Sequence, residues 1–269
     1  MRTLADHGTG AREAVRGALF AETHRSLVTC DDAGRVVKQH RPNGTGGRPQ
    51  MLYELRVNRL LARHPPPVPT PRLLAGDRRR GTLVFERAAG TPAGPKYPLE
   101  LADDVLAAMI RFATVLPSYR PRPRWLRRLG LVSRITEATA AGAITPANAA
   151  ALRELVAATP LTYAFAHADI TPRNVLTDGE RCTLIDWEWA GIYPATHDLR
   201  FLWFVLVDVR EARAVVERHV PAAQLTSFRL CALATSLWHL TYWTNSGSSA
   251  AARPRQLDTR DRLLGELIE

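Results

Sequence analysis

No apolar run in the 269-residue chain reaches the roughly 18 residues needed to cross a bilayer. The polar opening from Met1 to Gly10 lacks the apolar stretch of a secretion signal. A cytoplasmic protein without a membrane partner is therefore expected. Cysteine is scarce: Cys30, Cys182 and Cys231 are far apart, odd in number and free of CxxC or Cys/His clustering. That pattern argues against a disulfide framework and against a zinc site, and each is expected to be a small core residue. Lysine is almost missing, since Lys38 and Lys96 are the only lysines among 36 Lys and Arg residues. A formal net charge of +10 invites a polyanion partner. The arginines are dispersed, however, with Arg78–Arg80 and the Arg120–Arg128 segment the densest stretches, and these read as solvated faces. Nucleic acid is not the expected partner.

What the chain does have is enough apolar residue, 46%, to bury an ordinary core. From Ala18 to Arg41 the runs ALFA, SLVTC and RVVKQH are separated by polar turns and predict a three-stranded meander, with Asp32-Ala33-Gly34 as a hairpin turn. Pro42 to Pro49 reads as a loop. Gln50 to Arg63 follows as a helix whose apolar stripe is Tyr53, Val57, Leu60 and Leu61, with Glu54 at its edge, able to point back toward the sheet. The segments around PRLLAG and GTLVFERA add two strands.

From Leu101 the pattern turns helical: Val105, Met109, Phe112 and Leu116 share a face behind Asp103 and Asp104. Thr145-Pro146 caps a helix through Ala158. Runs from Phe201 and Phe228 read as core helices. The acidic residues Asp258, Asp261, Glu266 and Glu269 read as a solvated helix face. The one strand-like interruption is Tyr163 to Trp187. The fold class expected is α+β, with a small lobe over residues 1–88, a five-stranded antiparallel sheet with one helix, and a larger, mainly helical lobe over residues 89–269.

Within the interruption, NVLT and CTLI flank the turn Asp178-Gly179-Glu180-Arg181 and predict a hairpin. That loop length sets Asn174 opposite Ile185, one residue from Asp186, while Asp169 lies five residues upstream of Asn174. Two carboxylates and an amide oxygen meeting there are hard oxygen ligands, suited to Mg²⁺ carrying a polyphosphate. Trp187 and Trp189 are expected as core or wall residues.

The spacing His167-x-Asp169-x-x-x-x-Asn174, followed by Ile185-Asp186-Trp187-Glu188, resembles the aminoglycoside phosphotransferase and choline kinase-like family, which shares the bilobal protein-kinase-like fold. The resemblance implies that Asp169 is the catalytic carboxylate accepting the acceptor's hydroxyl proton and that Asn174 and Asp186 are the metal ligands. It implies an ion pair between Lys38 and Glu54 that orients the lysine on the nucleotide phosphates, and backbone contacts of Glu86 and Ala88 with the adenine. Asp198, in His197-Asp198-Leu199, would brace the catalytic loop, and His167 reads as a packed histidine rather than a base. One departure is the absence of a glycine-rich motif at Glu22-Thr23-His24-Arg25-Ser26.

The expected activity is transfer of a phosphoryl group from ATP or GTP, with Mg²⁺, to a hydroxyl of a small molecule. An antibiotic, aminoglycoside or other, is the acceptor class expected, which would confer resistance. The net charge opposes a polycation and keeps neutral or anionic acceptors in view. A metabolic kinase of choline, a sugar or an amino alcohol is the alternative, and a catalytically dead nucleotide- or RNA-binding regulator is the alternative of another class. Either a monomer or a dimer is compatible with the sequence.

Overall fold

Short β-rich runs divided by polar turns build the first sheet from β1 (Ala18–Glu22), β2 (Ser26–Cys30), β3 (Val36–His40), β4 (Leu73–Asp77) and β5 (Thr82–Phe85). The strands run antiparallel in the order β1-β2-β3-β5-β4. The structure is a computed structural model that describes residues 18–22, 26–41, 47–121, 123–246 and 253–268. The chain divides into two units, one of Met1–Pro65 with Thr70–Ala89 and one of Pro66–Pro69 with Gly90–Glu269. Pro66–Pro69 falls in the second unit, where the Pro69 carbonyl accepts a 2.9 Å hydrogen bond from Leu184 N–H.

The turn from β2 to β3 is closed by Asp31, whose Oδ1 accepts from the N–H groups of Ala33 and Arg35 at 3.1 and 2.9 Å. Gly34 supplies the positive φ of 74° that this turn needs. The residues Thr23–Arg25, where the glycine-rich motif is missing, lie outside the described residues. Arg78–Arg80 are exposed, as expected of a solvated turn.

Helix α1 (Gly47–Arg63) starts three residues earlier than the sequence suggests. Pro49 marks its first turn rather than a loop, because a residue there has no intrahelical partner for its N–H and proline's fixed φ suits it. Its buried face is also rotated from expectation. Met51, Leu55, Val57 and Leu61 are buried, whereas Tyr53 and Leu60 are half-buried. Glu54 and Asn58 lie in the middle of this buried face rather than at its edge, at 1% and 4% exposure. A carboxylate in that position requires a partner.

In the second unit the elements run β6 (Thr91–Pro92), α2 (Asp103–Val115), β7 (Arg127–Arg128), α3 (Leu131–Ala140), α4 (Pro146–Ala158), β8 (Tyr163–Ala166), β9 (Val175–Thr177), β10 (Cys182–Leu184), β11 (Gly191–Pro194), α5 (His197–Val205), α6 (Arg210–Arg218), α7 (Leu225–Ser246) and α8 (Arg253–Ile268). Val105, Met109, Phe112 and Leu116 are buried as the α2 periodicity predicts. Thr145 Oγ1 caps α4 by accepting from Asn148 N–H at 3.1 Å. The core sits where α7 packs on α3, α5 and α8. There Leu131, Ile135 and Leu152 meet Leu230, Leu233 and Leu237, each such buried side chain contributing ~1.5–3 kcal/mol.

Tyr163 to Trp187 is not the only strand-like stretch. β6 completes a three-stranded sheet in the order β10-β9-β6, and β7, β11 and β8 form another. Two-residue strands and a Gly-to-Pro strand carry no alternation of their own, and partner backbones alone define them. The Arg120–Arg128 segment is accordingly only partly a solvated face: β7 pairs in parallel with β11, and Arg127 stacks its guanidinium 4.9 Å from the Trp189 ring centroid. Of the cysteines only Cys231 is buried; Cys30 and Cys182 are half-buried on strands. On α8, Asp258 and Asp261 are exposed, while Glu266 pairs with Arg229 at 3.1 Å; Glu269 lies outside the described residues.

Candidate active site

In the first unit, β3 alternates so that Lys38 and His40 share the sheet face that α1 covers. Lys38 Nζ lies 2.9 Å from Glu54 Oε1, and His40 Nε2 lies 2.9 Å from Glu54 Oε2. Asn58 Nδ2 donates to the Glu54 carbonyl at 3.0 Å, tying the next turn of the helix into the cluster. Both oxygens of a carboxylate buried to 1% exposure are thus engaged, and this answers the demand its position creates. At the end of β5, Glu86 N–H donates to the Arg72 carbonyl at 3.0 Å, extending the sheet. Its side chain pairs with Arg72 at 2.6 Å. The Glu86 donor is therefore spent on the sheet, and its carbonyl and the Ala88 backbone follow as the chain leaves β5.

In the second unit, β8 ends at Ala166 and the loop to Asn174 is pinned from several sides. The two carboxylate oxygens of Asp198, in the first turn of α5, accept from His167 N–H at 2.8 Å and Ala168 N–H at 2.7 Å. This tight grip accompanies a left-handed backbone at Ala168, φ 65°, a conformation that costs a non-glycine residue ~1 kcal/mol or more. Burial pushes the Asp198 carboxyl up to about 6, with the two N–H groups pulling it back. His167 accepts from Asp169 N–H on Nδ1 at 3.2 Å, so its Nε2 carries the proton donated to the Ile185 carbonyl at 2.9 Å. Burial lowers its pKa to about 4, and the imidazole is neutral, a strut between the loop and the β10 end. Its ring also stands edge-on to Trp187, 4.6 Å between centroids, and Trp187 stacks on Phe165.

The hairpin has the register expected from its loop: Cys182 faces Thr177, Thr183 faces Leu176 and Leu184 faces Val175. Ile185 N–H then donates to the Asn174 carbonyl at 2.9 Å. Asp178 Oδ1 closes the turn on the N–H groups of Glu180 and Arg181. Asn174 Nδ2 donates to the Asp169 carbonyl at 3.0 Å and to Asp169 Oδ2 at 2.8 Å. With both amide hydrogens spent there, the side-chain oxygen remains as an acceptor. Asp186 follows in a left-handed conformation, φ 67° and ψ 63°, again strained for a residue with a Cβ. A carboxylate oxygen of Glu188 comes within 4.8 Å of one of Asp186.

Asp169 is buried at 6% exposure. Its carboxyl is raised above the ordinary carboxylate value, chiefly by burial and also by the neighbouring Asp186, while Lys96, Arg173 and Asn174 act to lower it. Lys96 Nζ stands 3.7 Å from Asp169 Oδ1. The strand β6 brings it there. Thr91 and Pro92 pair with Thr177 and Leu176, and Ala93 N–H donates to the carbonyls of Val175 at 2.8 Å and Pro172 at 3.1 Å. Gly90 allows this approach, because a Cβ on it would sit 2.3 Å from the Thr177 carbonyl oxygen.

The structure therefore brings Lys38 to Glu54 in the first unit, and Asp169, Asn174 and Asp186 together in the second. Three further residues stand at these clusters beyond those the sequence motifs mark: His40, Glu188 and Lys96. His40 was recoverable, since residues two apart on a strand share a face. Lys96 carried the same signal as Lys38, namely its rarity in an arginine-rich chain.

Solved structures of similar architecture include kinases of small molecules. Aminoglycoside phosphotransferase APH(4)-Ia is 18% identical, with a TM-score of 0.64 and coverage of 93% of this chain and 93% of that one. Amicoumacin kinase hAmiN, in complex with AMP-PNP, Ca²⁺ and amicoumacin, is 13% identical, with a TM-score of 0.62 over 93% of this chain and 88% of that one. Choline kinase LicA from Streptococcus pneumoniae is 14% identical, with a TM-score of 0.61 over 92% of each chain. With the antiparallel five-stranded sheet and the helical unit, these likenesses define a protein-kinase-like fold. Residues 20–264 match the family described as "Phosphotransferase enzyme family". The chain belongs to that family and is a small-molecule phosphotransferase. No match is found among curated proteins.

Proposed function

We propose that the chain transfers the γ-phosphoryl group of ATP or GTP to a hydroxyl of a small molecule, with Asp169 as the catalytic carboxylate. The observation that carries this reading is the hydrogen bond from Asn174 Nδ2 to Asp169 Oδ2, which joins the two residues and leaves one oxygen of each for other partners. Asn174 Oδ1 and the Asp186 carboxylate would hold Mg²⁺, and their hard oxygen donors fit that ion. When bound, Mg²⁺ neutralises charge on the transferring phosphates. Asp169 orients the acceptor hydroxyl and takes its proton as the acceptor oxygen bonds to the γ-phosphorus. The bond from that phosphorus to the β–γ bridging oxygen breaks, and the nucleoside diphosphate leaves with the bonding electrons. Lys38, held by Glu54, serves the nucleotide phosphates, and the Glu86 carbonyl and Ala88 backbone serve the adenine. His167 and Asp198 position the loop.

The acceptor class placed first is a hydroxylated antibiotic, so that the reaction confers resistance in the cytoplasm. Its support is the likeness to APH(4)-Ia and to amicoumacin kinase. The net charge of +10 disfavours polycationic members of that class. The likeness to choline kinase favours a metabolic alcohol as the second reading. Incubation with labelled ATP or GTP, Mg²⁺ and a panel of antibiotics and metabolites, followed by mass spectrometry of the product, is the test. One phosphorylated hydroxyl product is expected. Nucleotide that binds but transfers to no member of either class would overturn the acceptor assignment, and nucleotide that does not bind would overturn the whole reading.

A further inference from the structure

Lys96 is a charge beside the reacting carboxylate that the chemistry above does not use. The β6–β9 pairing at Thr91 and Pro92 brings the chain to this site four residues before Lys96. Its ammonium is 3.7 Å from Asp169 Oδ1, beyond the ~2.7–2.9 Å of a charge-assisted hydrogen bond. It lies 5.7 Å from the Phe201 ring centroid and 5.8 Å from that of Tyr97. Among the described residues it donates no hydrogen bond, and its side chain is 32% exposed. An ammonium has three donors, and these are open to a ligand.

Beyond Asp169, the carboxylate it faces, Lys96 has cationic and neutral groups around it. Arg173, whose charge reaches both Asp169 and Tyr97, is exposed beside the loop. Arg200 is buried on α5, donating to His197 and Thr235. His239 on α7 stacks on Phe204 and is kept neutral by burial, with Lys96 and Arg200 disfavouring its charged form further. The neighbouring carboxylates have other tasks: Asp198 spends both oxygens on backbone N–H groups, and Asp186, whose charge reaches Asp169, is assigned to the metal.

We propose that Lys96, walled by Tyr97 and Phe201, is a subsite for an anionic group of the acceptor, so that the substrate carries a carboxylate or phosphate near the hydroxyl that is phosphorylated. This rests on the phosphotransferase reading and names its substrate class. A cation at this place attracts such a group and repels an acceptor ammonium, so it selects in both directions.

The test uses the full chain saturated with Mg²⁺ and the ATP analogue AMP-PNP, whose binding is first measured alone by calorimetry. Four probes of one skeleton are then compared: glycerate, glycerol 3-phosphate, glycerol and 3-amino-1,2-propanediol. Trace acylation of Lys96, read by mass spectrometry, should slow by ~10-fold with one or both anions and stay unchanged with the alcohol and the amine, as a charge-assisted hydrogen bond to the ammonium predicts. Glycerate acting alone identifies a carboxylate subsite, and glycerol 3-phosphate acting alone a phosphate subsite. Lys96→Met should weaken binding of the protecting anion by ~10-fold, with Lys96→Arg recovering most of it. Equal labelling with all four probes, or protection by the amine, overturns the proposal while leaving the phosphotransferase reading intact. That reading fails separately, if AMP-PNP does not bind.

Discussion

The chain's two lysines each face a buried carboxylate, and the two pairs are built differently. In the first unit, Lys38 meets Glu54 at 2.9 Å, His40 takes the other oxygen and Asn58 holds the backbone of the same turn. Every part of that pair sits on a strand or a helix. In the second unit, Lys96 stands 3.7 Å from Asp169, a third exposed, and both residues lie on irregular chain outside helix and strand. A carboxylate saturated by partners is a fixture that sets the position of its lysine. One held loosely by its cation, and by a single amide on its other oxygen, keeps the freedom to meet a reactant.

The largest expected effect tests the chemical half of this contrast. Asp169→Asn should lower kcat by at least ~10²-fold, as a lost general base does, while nucleotide and acceptor still bind. Steady-state kinetics reporting a change confined to KM would instead assign Asp169 to uniform binding. Asp186→Ala should abolish turnover with the fold intact by circular dichroism, and activity within about threefold of wild type would remove it from the metal set.

Stability should rank the pairs in the opposite order. Glu54→Ala leaves buried Lys38 and His40 without their anion and is expected to cost ~3 kcal/mol, whereas Lys96→Met should cost under ~1 kcal/mol because water screens the pair. Urea unfolding of both variants gives the comparison, and equal losses would mean that the two pairs contribute alike to the fold.

A smaller effect concerns pH. His167 and His239 are buried with pKa values lowered to about 4 and about 3 from 6.5, so the unfolded chain binds protons that the folded chain refuses. Their contribution is complete above about 6.5 and declines as pH falls toward 4. Asp198, raised to about 6, acts in the opposite sense between about 6 and 3.8. Buried His197, lowered well below 6.5, adds to the histidine side, and Asp169, raised by burial, to the aspartate side; three histidines outweigh two aspartates, and the net loss should approach ~1.4 kcal/mol per pH unit in the overlapping range. Melting curves should therefore drop between roughly pH 7 and pH 5, less steeply in His239→Gln, and identical slopes would exclude His239 as a source.

The smallest effect is at Ala168. Glycine there relieves the left-handed backbone but frees the unfolded chain, so Ala168→Gly should alter stability by no more than ~1 kcal/mol, in the stabilising direction if the strain dominates. A loss well beyond that would show that the methyl group, rather than the backbone, matters at this position.

Much of the hairpin could be read from the chain because its causes are local. Four turn residues between two β-rich runs fix the register, and the register sets Asn174 against Ile185. The cap at Thr145 and the α2 stripe were legible for the same reason. The α1 face was not. Tyr53 and Leu60 complete the more apolar stripe, yet Glu54 and Asn58 are buried instead, because Lys38 and His40 on β3 supply the partners that make a buried carboxylate tolerable. No feature of the helix sequence alone carries that information.

The sequence by itself determined the spacing from His167 to Asp186, the strands and helices with strong periods, and the rarity of lysine that marks Lys38 and Lys96. Only the tertiary structure decided that β6, two residues long, pairs with β9 and sets Lys96 beside Asp169. It also decided that Asp198 grips the backbone of His167 and Ala168 from 31 and 30 residues away in sequence. Such contacts have no local signature, since a two-residue strand exists only through the backbone groups of its partner and a carboxylate's choice of N–H donors depends on which segments the core brings within reach.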